Sequence, residues 1–145
     1  MTPLSKVYDA FLARILEDEW EQWELTEAEE DWYQLLFASI PQFKFPRVSL
    51  EIQDSNFVGD LGPEEINILA NFMKCEWLNR CIMTWENVKP LYEERDFSQA
   101  NLIDKLKELL VEERKNALNV ESIYYRYRKG KPFDFTRLAG NQNGY

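Results

Sequence analysis

The sequence predicts an all-α fold, a small helical bundle with one long C-terminal helix and an extended C-terminal tail. The 145 residues include only five glycines and six prolines, so long uninterrupted elements are expected. Apolar residues recur at steps of three and four along several segments, which is the helical period. That period stops near residue 128. The division predicts a helical domain over residues 1–128 and a docking tail over residues 129–145.

Composition places the chain among folded, single-domain proteins and argues against an enzyme. Hydrophobic residues make up 45% and aromatics 14%, which excludes a disordered chain. No apolar run is long enough to cross a bilayer, and no signal peptide follows Met1. The chain has no histidine, and Cys75 and Cys81 fit neither a CxxC redox pair nor a zinc half-site. We expect reduced cysteines, no cofactor and no metal.

The first half of the chain contains two amphipathic helical segments. Residues 3–18 predict a first helix whose apolar side chains share one face, namely Val7, Tyr8, Phe11, Leu12 and Ile15. A second helix is predicted to start at Thr26, because Thr26 and Glu29 have the spacing of a capping box. Its buried stripe would be Trp32, Leu35, Leu36 and Ile40. Pro41 should end it.

The second half contains the two longest predicted elements. Residues 43–52 predict an extended connector or short strand, and residues 59–62 a turn. Pro63 suits the first position of a third helix, with a short helix or turn expected around residues 84–92. Ser98 opens the longest helix, which runs to about Tyr127. At 1.5 Å per residue it spans about 45 Å, more than a body of this size needs.

Charge divides the chain into an acidic body and a basic tail. The net charge is −9, but residues 123–145 carry +4 and residues 1–122 therefore carry −13. Residues 17–31 contain nine acids and no lysine or arginine. Such a segment could bind a divalent cation or hold a catalytic carboxylate pair among Glu17, Glu19, Glu21 and Glu24. Because no calcium-loop pattern is present, a solvated negative face is the favoured interpretation.

The tail combines apolar and basic side chains that have no evident place in the body. As a docking peptide, it would place Phe133, Phe135 and Leu138 in pockets of a partner, while Lys131 and Arg137 meet acids. The alternatives are a frayed terminus and a segment that binds nucleic acid by stacking. The aromatic and basic run over residues 124–128 predicts either a stacking surface or final helical turns that pack on a neighbour.

Three segments, in this order, resemble the head–tail adaptor proteins of tailed bacteriophages, especially those of Gram-positive hosts. The first is Tyr8-Asp9-Ala10-Phe11-Leu12-Ala13-Arg14-Ile15, followed by the acidic stretch. The second is the helix that starts Leu61-Gly62-Pro63-Glu64-Glu65-Ile66 and runs to Glu76-Trp77-Leu78. The third is Asp96-Phe97-Ser98-Gln99-Ala100-Asn101-Leu102, which opens the long helix. Together they span about residues 8–127.

The resemblance implies a non-enzymatic ring subunit of the virion, made in the host cytoplasm. Such rings usually have twelve copies, dock beneath the portal at the capsid vertex and receive the next neck or tail component. Residues 123–145 would then face the portal protein, through Tyr124, Tyr127, Arg128, Lys131, Phe133, Phe135, Arg137, Leu138 and Tyr145. Glu17, Glu19, Glu21 and Glu24 would line a channel through which DNA passes without specific binding.

A rival hypothesis is a monomeric regulatory protein that captures one partner through the same tail. The number of subunits separates the two hypotheses, since the adaptor associates in a ring and the regulator binds one to one.

Overall fold

The structure, a computed structural model, describes residues 1–15, 20–88, 97–128 and 131–132, with the backbone alone given for residues 87–88, 97–101, 127–128 and 131–132. Four α-helices dominate it: α1 (Leu4–Leu12), α2 (Leu25–Ser39), α3 (Pro63–Val88) and α4 (Phe97–Arg126). The predicted all-α fold with one long C-terminal helix is therefore confirmed. Within the described residues, no helix is long and apolar enough to cross a membrane.

Helix α3 is the centre of the bundle and contacts α1, α2 and α4. Its sequence is apolar on several sides, so it has little one-sided character and suits a central position. Leu69, Met73 and Cys75 of this helix are completely buried. Phe11 from α1 and Leu36 from α2 are equally inaccessible, and they complete one continuous core.

The described part of the chain also contains five short β-strands: β1 (Thr2–Pro3), β2 (Ile52–Gln53), β3 (Asn56–Phe57), β4 (Tyr127–Arg128) and β5 (Lys131–Pro132). Strand β3 lies between β1 and β2 and is antiparallel to both. Asp54 and Ser55 form the two-residue turn between β2 and β3 with φ angles of 50° and 62°. Positive φ angles at both central residues are typical of the type I′ turns that connect two-residue β-hairpins.

Helix α1 is shorter than predicted, because it ends at Leu12 and not at residue 18. The Arg14 backbone N–H donates to the carbonyl of Phe11, which tightens the last turn. The Arg14 side chain donates to the Ala10 carbonyl at 2.6 Å and to Asn71 Oδ1 at 2.9 Å. The Arg14 side chain thus provides a hydrogen-bond donor for a carbonyl near the end of α1 and links that end of the helix to α3. Residues 16–18 of the predicted helix lie outside the described part of the chain.

The capping box predicted at Thr26 and Glu29 is wrong. Helix α2 begins at Leu25 with Glu24 as its extended N-cap residue, and no side chain caps it. The Trp23 N–H donates to the Trp20 carbonyl at 3.1 Å, so a turn directly precedes the helix. Thr26 consequently lies inside the first helical turn and cannot serve as the cap.

The remaining boundaries agree with expectation at the end of α2 and the start of α3, and differ elsewhere. Pro41 falls in a 3₁₀ turn (Ile40–Gln42) that follows the α-helix, as the stop predicted there requires. Helix α3 starts at Pro63 as predicted, but it continues to Val88 and so includes residues expected in a separate short element. Residues 89–92 of that predicted element lie outside the described residues. The extended segment predicted over residues 43–52 is a strand only at its last residue.

Replacing Leu36 by alanine should lower the free energy of unfolding by about 2–5 kcal/mol, because its side chain is completely buried against the core. Phe37, the next residue along α2, is 65% exposed and provides the matched control. Phe37→Ala should lower the free energy of unfolding by less than about 1 kcal/mol. Urea denaturation of both variants measures the difference, and equal losses would contradict the burial assigned to Leu36.

Stability should fall as the pH rises through the range in which tyrosine ionises. Burial, with a smaller contribution from Glu29, raises the pKa of Tyr8 to about 12. The unfolded chain releases this proton near the ordinary pKa of about 10, so the folded state loses stability between about pH 10 and 12. Urea denaturation across this range should show a smaller loss for Tyr8→Phe than for the wild type. Parallel losses in the two proteins would contradict the assignment.

Candidate partner-docking surface

The C-terminal end of α4 is held by the segment that follows α2. The contacts come from a set of side chains that we name the Tyr124 cluster, made up of Phe43, Phe45, Arg47, Glu65, Tyr124 and Tyr125. The Tyr124 hydroxyl donates to Glu65 Oε1 at 3.2 Å and accepts the Arg47 backbone N–H at 2.9 Å. Its two polar contacts therefore come from two different parts of the chain, one of them the start of α3.

Arg47 also fixes Tyr124 through its side chain. The guanidinium carbon lies 3.9 Å from the centre of the Tyr124 ring, and a guanidinium N–H donates to the Tyr124 carbonyl at 2.7 Å. A cation close to a helix carbonyl near the C-terminus also suits the helix dipole. Burial raises the pKa of Tyr124, although the hydrogen bond from the Arg47 backbone opposes that rise. The phenol is consequently neutral and available as a donor at physiological pH.

Tyr125 connects the same segment to an exposed aromatic side chain. Its hydroxyl accepts the Phe45 backbone N–H at 3.1 Å and donates to Glu121 Oε1 at 2.5 Å. Burial raises its pKa to about 12, and the bond to Glu121 adds to the rise. The Phe45 ring packs edge-on against Tyr125 at 5.5 Å between ring centres, yet the Phe45 residue is 70% exposed. An apolar ring is thus presented to solvent beside the end of α4.

The residues predicted to contact a portal fall into three groups. Tyr124 is only 4% exposed, so in this structure it binds its own chain and positions the end of α4. Tyr127, Arg128 and Lys131 lie in the β4–β5 hairpin, where Tyr127 pairs with Pro132 and Arg128 with Lys131. The other predicted contacts lie outside the described residues, and they are Phe133, Phe135, Arg137, Leu138 and Tyr145.

The sequence prediction missed the role of residues 43–47. The alternation of Phe43 and Phe45 with polar residues predicts an extended connector or short strand, but both rings contact Tyr125. Phe43 is buried and also packs edge-on against Tyr124 at 5.2 Å between ring centres. Two aromatic side chains before Pro46 were the available signal of a packed segment.

The acidic segment is only partly exposed as predicted. Glu21 and Glu24 are exposed, whereas Glu17 and Glu19 lie outside the described residues. Trp20 is buried and donates its indole N–H to Asp31 Oδ2 at 2.7 Å. Asp31 also accepts two hydrogen bonds from Arg80, at 2.7 and 3.0 Å, so this acid has a structural role. In the described ranges, no cluster of acidic or cysteine side chains could hold a metal ion.

Neither Cys75 nor Cys81 is in a disulfide, as expected for reduced cysteines. Cys75 is completely buried in α3, and burial raises its pKa to about 11. Its sulfur is therefore protonated near neutral pH and is a poor nucleophile, since the thiolate is the reactive form.

Two stripes of exposed apolar side chains run along the outer sides of α4. Leu102, Leu109 and Ile123 form the Leu109 stripe, with exposures of 40%, 39% and 44%. Val111 and Leu118 form the Leu118 stripe, with exposures of 66% and 58%. Residues separated by seven positions return to the same side of a helix after about two turns. The buried Ile103, Ala117 and Tyr124 occupy the side between the two stripes.

Comparisons with protein-family models, curated proteins and solved structures found no match. Function is therefore inferred from the anchored end of α4, the exposed stripes and the charge distribution.

Tyr124→Phe should reduce the free energy of unfolding by about 1–3 kcal/mol, because it removes the donor to the buried Glu65 and the acceptor for the Arg47 N–H. Tyr33→Phe is the matched control, since the Tyr33 side chain is 37% exposed. It should change stability by less than about 0.5 kcal/mol. Chemical denaturation distinguishes the two. A Tyr124→Phe effect no larger than that of the control would contradict the role assigned to this hydroxyl.

Proposed function

We propose that this chain is a structural adaptor subunit of a tailed bacteriophage. Copies of the chain form a ring that docks on the portal and links the capsid vertex to the next neck or tail component. The observation that carries the proposal is the Tyr124 cluster, which fixes the end of α4 at the point where the basic, aromatic tail begins.

A fixed starting point favours a docking function for the tail. Residues 129–145 contain Phe133, Phe135 and Leu138 together with Lys131 and Arg137, a combination suited to pockets rimmed by acids. Anchoring the preceding helix reduces the conformational freedom that the tail loses when it binds. The exposed Phe45 ring lies beside the same helix end and extends the apolar surface offered to a partner.

The outer surface of α4 supports a ring of copies. Helix α4 is about 45 Å long, and both of its apolar stripes are exposed in the single chain. Contacts with neighbouring copies would bury these side chains.

The acidic body supports the position of the ring around DNA. Glu21 and Glu24 are exposed on a body of net charge −13, and a negative wall repels phosphate. DNA would therefore pass such a wall without binding to it.

The adaptor proposal predicts that the full-length chain decorates purified cognate portal rings, whereas a chain ending at Lys129 does not. The reason is that the apolar and basic docking side chains lie beyond residue 129. Co-sedimentation and electron microscopy measure the decoration. The double variant Phe133→Ala and Phe135→Ala should weaken binding by roughly tenfold or more, as expected for buried aromatic anchors.

The control keeps the tail length and removes only polar side chains. Asn141→Ala combined with Asn143→Ala should bind portal rings as the wild type does. If neither the full-length chain nor the control decorates a portal, the adaptor proposal fails. One-to-one binding to a different protein through the tail would then support the regulatory function instead.

A further inference from the structure

A cavity of about 610 Å³ lies between the start of α1, one side of α2 and the β2–β3 hairpin, and we name it the Tyr8 cavity. Its lining includes two acids, two tyrosines and two aliphatic side chains, namely Glu29, Glu30, Tyr8, Tyr33, Leu4 and Ile52. Ligand-binding pockets have volumes of roughly 300–1,000 Å³, so this cavity is large enough to admit a side chain of another molecule.

The Tyr8 hydroxyl faces this cavity without a partner from the chain. Tyr8 is only 6% exposed, and its ring packs against Trp32 at 5.7 Å between ring centres. Among the described residues, its hydroxyl makes no hydrogen bond, yet it is not one of the unpaired atoms enclosed in the core, which are Trp32 Nε1 and Glu121 Oε2. Because Tyr8 lines the cavity, its oxygen opens into it. A phenol oxygen in this position can accept a hydrogen bond from a bound molecule.

The charge around the Tyr8 cavity is negative. Glu29 and Glu30 are exposed carboxylates of its wall, and no lysine or arginine belongs to its described lining. The charged side chains next to its lining residues, or one helical turn from them, are one base and five acids, namely Lys6, Asp9, Glu27, Asp31, Glu51 and Asp54. Of these acids, Asp31 is paired with Arg80. The N-termini of α1 and α2 contribute only about half a positive charge each. The site therefore favours a cation and disfavours phosphate or carboxylate.

A guanidinium group satisfies the polar features of the cavity together. It is planar and permanently charged, and its five N–H donors can reach two carboxylates and a phenol oxygen at the same time. Its flat face can also stack on a tyrosine ring. The methylene groups of an arginine side chain would then lie against Leu4 and Ile52. An ammonium group has only three donors and no flat face, so it fits this lining less well.

The rim of the cavity favours a protein ligand over a small free cation. Tyr33 is 37% exposed and contacts the ring of Phe37, which is 65% exposed, at 6.2 Å between ring centres. Leu25 is 67% exposed and lies one turn before Glu29 on α2. These apolar side chains beside the acids offer a contact area that a small amine would leave in water.

We propose that the Tyr8 cavity binds an arginine side chain of a partner protein. The guanidinium donates to Glu29 and Glu30 and to the Tyr8 oxygen, and apolar neighbours of that arginine pack on Tyr33 and Phe37. This inference is independent of the adaptor proposal, because the cavity contains no residue of the Tyr124 cluster or of the tail.

The test is an NMR titration of the isotopically labelled full-length chain with the peptide acetyl-Leu-Arg-Leu-amide. Saturable shifts are expected at residues of α1, α2 and the β2–β3 hairpin, with a Kd of about 1 mM or tighter. The same peptide with citrulline in place of arginine keeps the shape and removes the charge, so it should bind at least about tenfold more weakly. Spermidine represents a free cation and should also bind more weakly than the arginine peptide, because it cannot cover the apolar rim.

Three variants identify the groups that recognise the arginine. Glu29→Gln with Glu30→Gln should weaken binding of the arginine peptide at least about tenfold. The control, Glu108→Gln with Glu112→Gln, removes two exposed acids of α4 outside the cavity and should bind within about twofold of the wild type at physiological salt. Tyr8→Phe should weaken binding about two- to tenfold. It should leave the free energy of unfolding at pH 7 unchanged, because no hydrogen bond within the chain is lost.

The proposal fails if no saturable shift is seen up to about 10 mM of the arginine peptide, or if the citrulline peptide binds equally well. Spermidine binding as tight as that of the arginine peptide would make the cavity a site for free amines and remove the protein partner. Wild-type affinity in the double glutamine variant would remove the role of the two carboxylates. A loss of stability in Tyr8→Phe would mean that the hydroxyl already has a partner in the chain, which contradicts its assignment as a free acceptor.

Discussion

The structure depends on the burial of α3 by the other three helices. A 26-residue helix with Leu69, Met73 and Cys75 wholly inaccessible cannot be stable alone in water, because its apolar surface extends around several sides. Helices α1 and α2 cover one part of it, and α4 covers another. Hydrogen bonds between side chains also link the helices. Arg14, just after α1, donates to Asn71 of α3, and Arg80 of α3 donates to Asp31 of α2. The position of α4 is therefore a consequence of what α3 must bury.

The long helix has two kinds of surface with different tasks. Its inner side, with Ile103, Ala117 and Tyr124, completes the core of the chain. Its outer sides expose apolar side chains with charged neighbours, and these carry the proposals on assembly. The Tyr124 cluster joins the two tasks, because it belongs to the core and also determines where the helix ends.

Most of the fold could be predicted from the sequence, because prolines mark helix boundaries and α1, α2 and α4 have apolar residues at helical spacing. Pro63 and Pro41 correctly indicated where α3 begins and where α2 ends. The failures have a common physical origin. At the end of α1, Arg14 bonds to Asn71 of α3, and a turn at Trp20 precedes the start of α2. Contacts between residues distant in sequence, and local turns without a strong pattern, override capping signals such as that of Thr26.

The candidate site was predictable only in part. Aromatic and basic residues near the end of α4 indicated a docking region, but periodicity could not reveal that Tyr124 is buried beneath Arg47. The contact joins residues 77 positions apart, and no local pattern encodes it. The apolar residues of the two α4 stripes can be read in the sequence. They became visible as separate surfaces only when the structure showed which side of the helix faces the core.

The antiparallel packing of α3 and α4 has a mechanical consequence. Lys74–Glu113 and Lys107–Glu86 bridge the two helices at separate points along their length, and Tyr124 is bonded to Glu65 near the start of α3. A pull on the chain beyond α4, directed along the helix axis, loads all of these contacts together in shear. A pull across the axis would instead separate them one after another. We therefore expect the contacts between α3 and α4 to resist axial tension better than peeling.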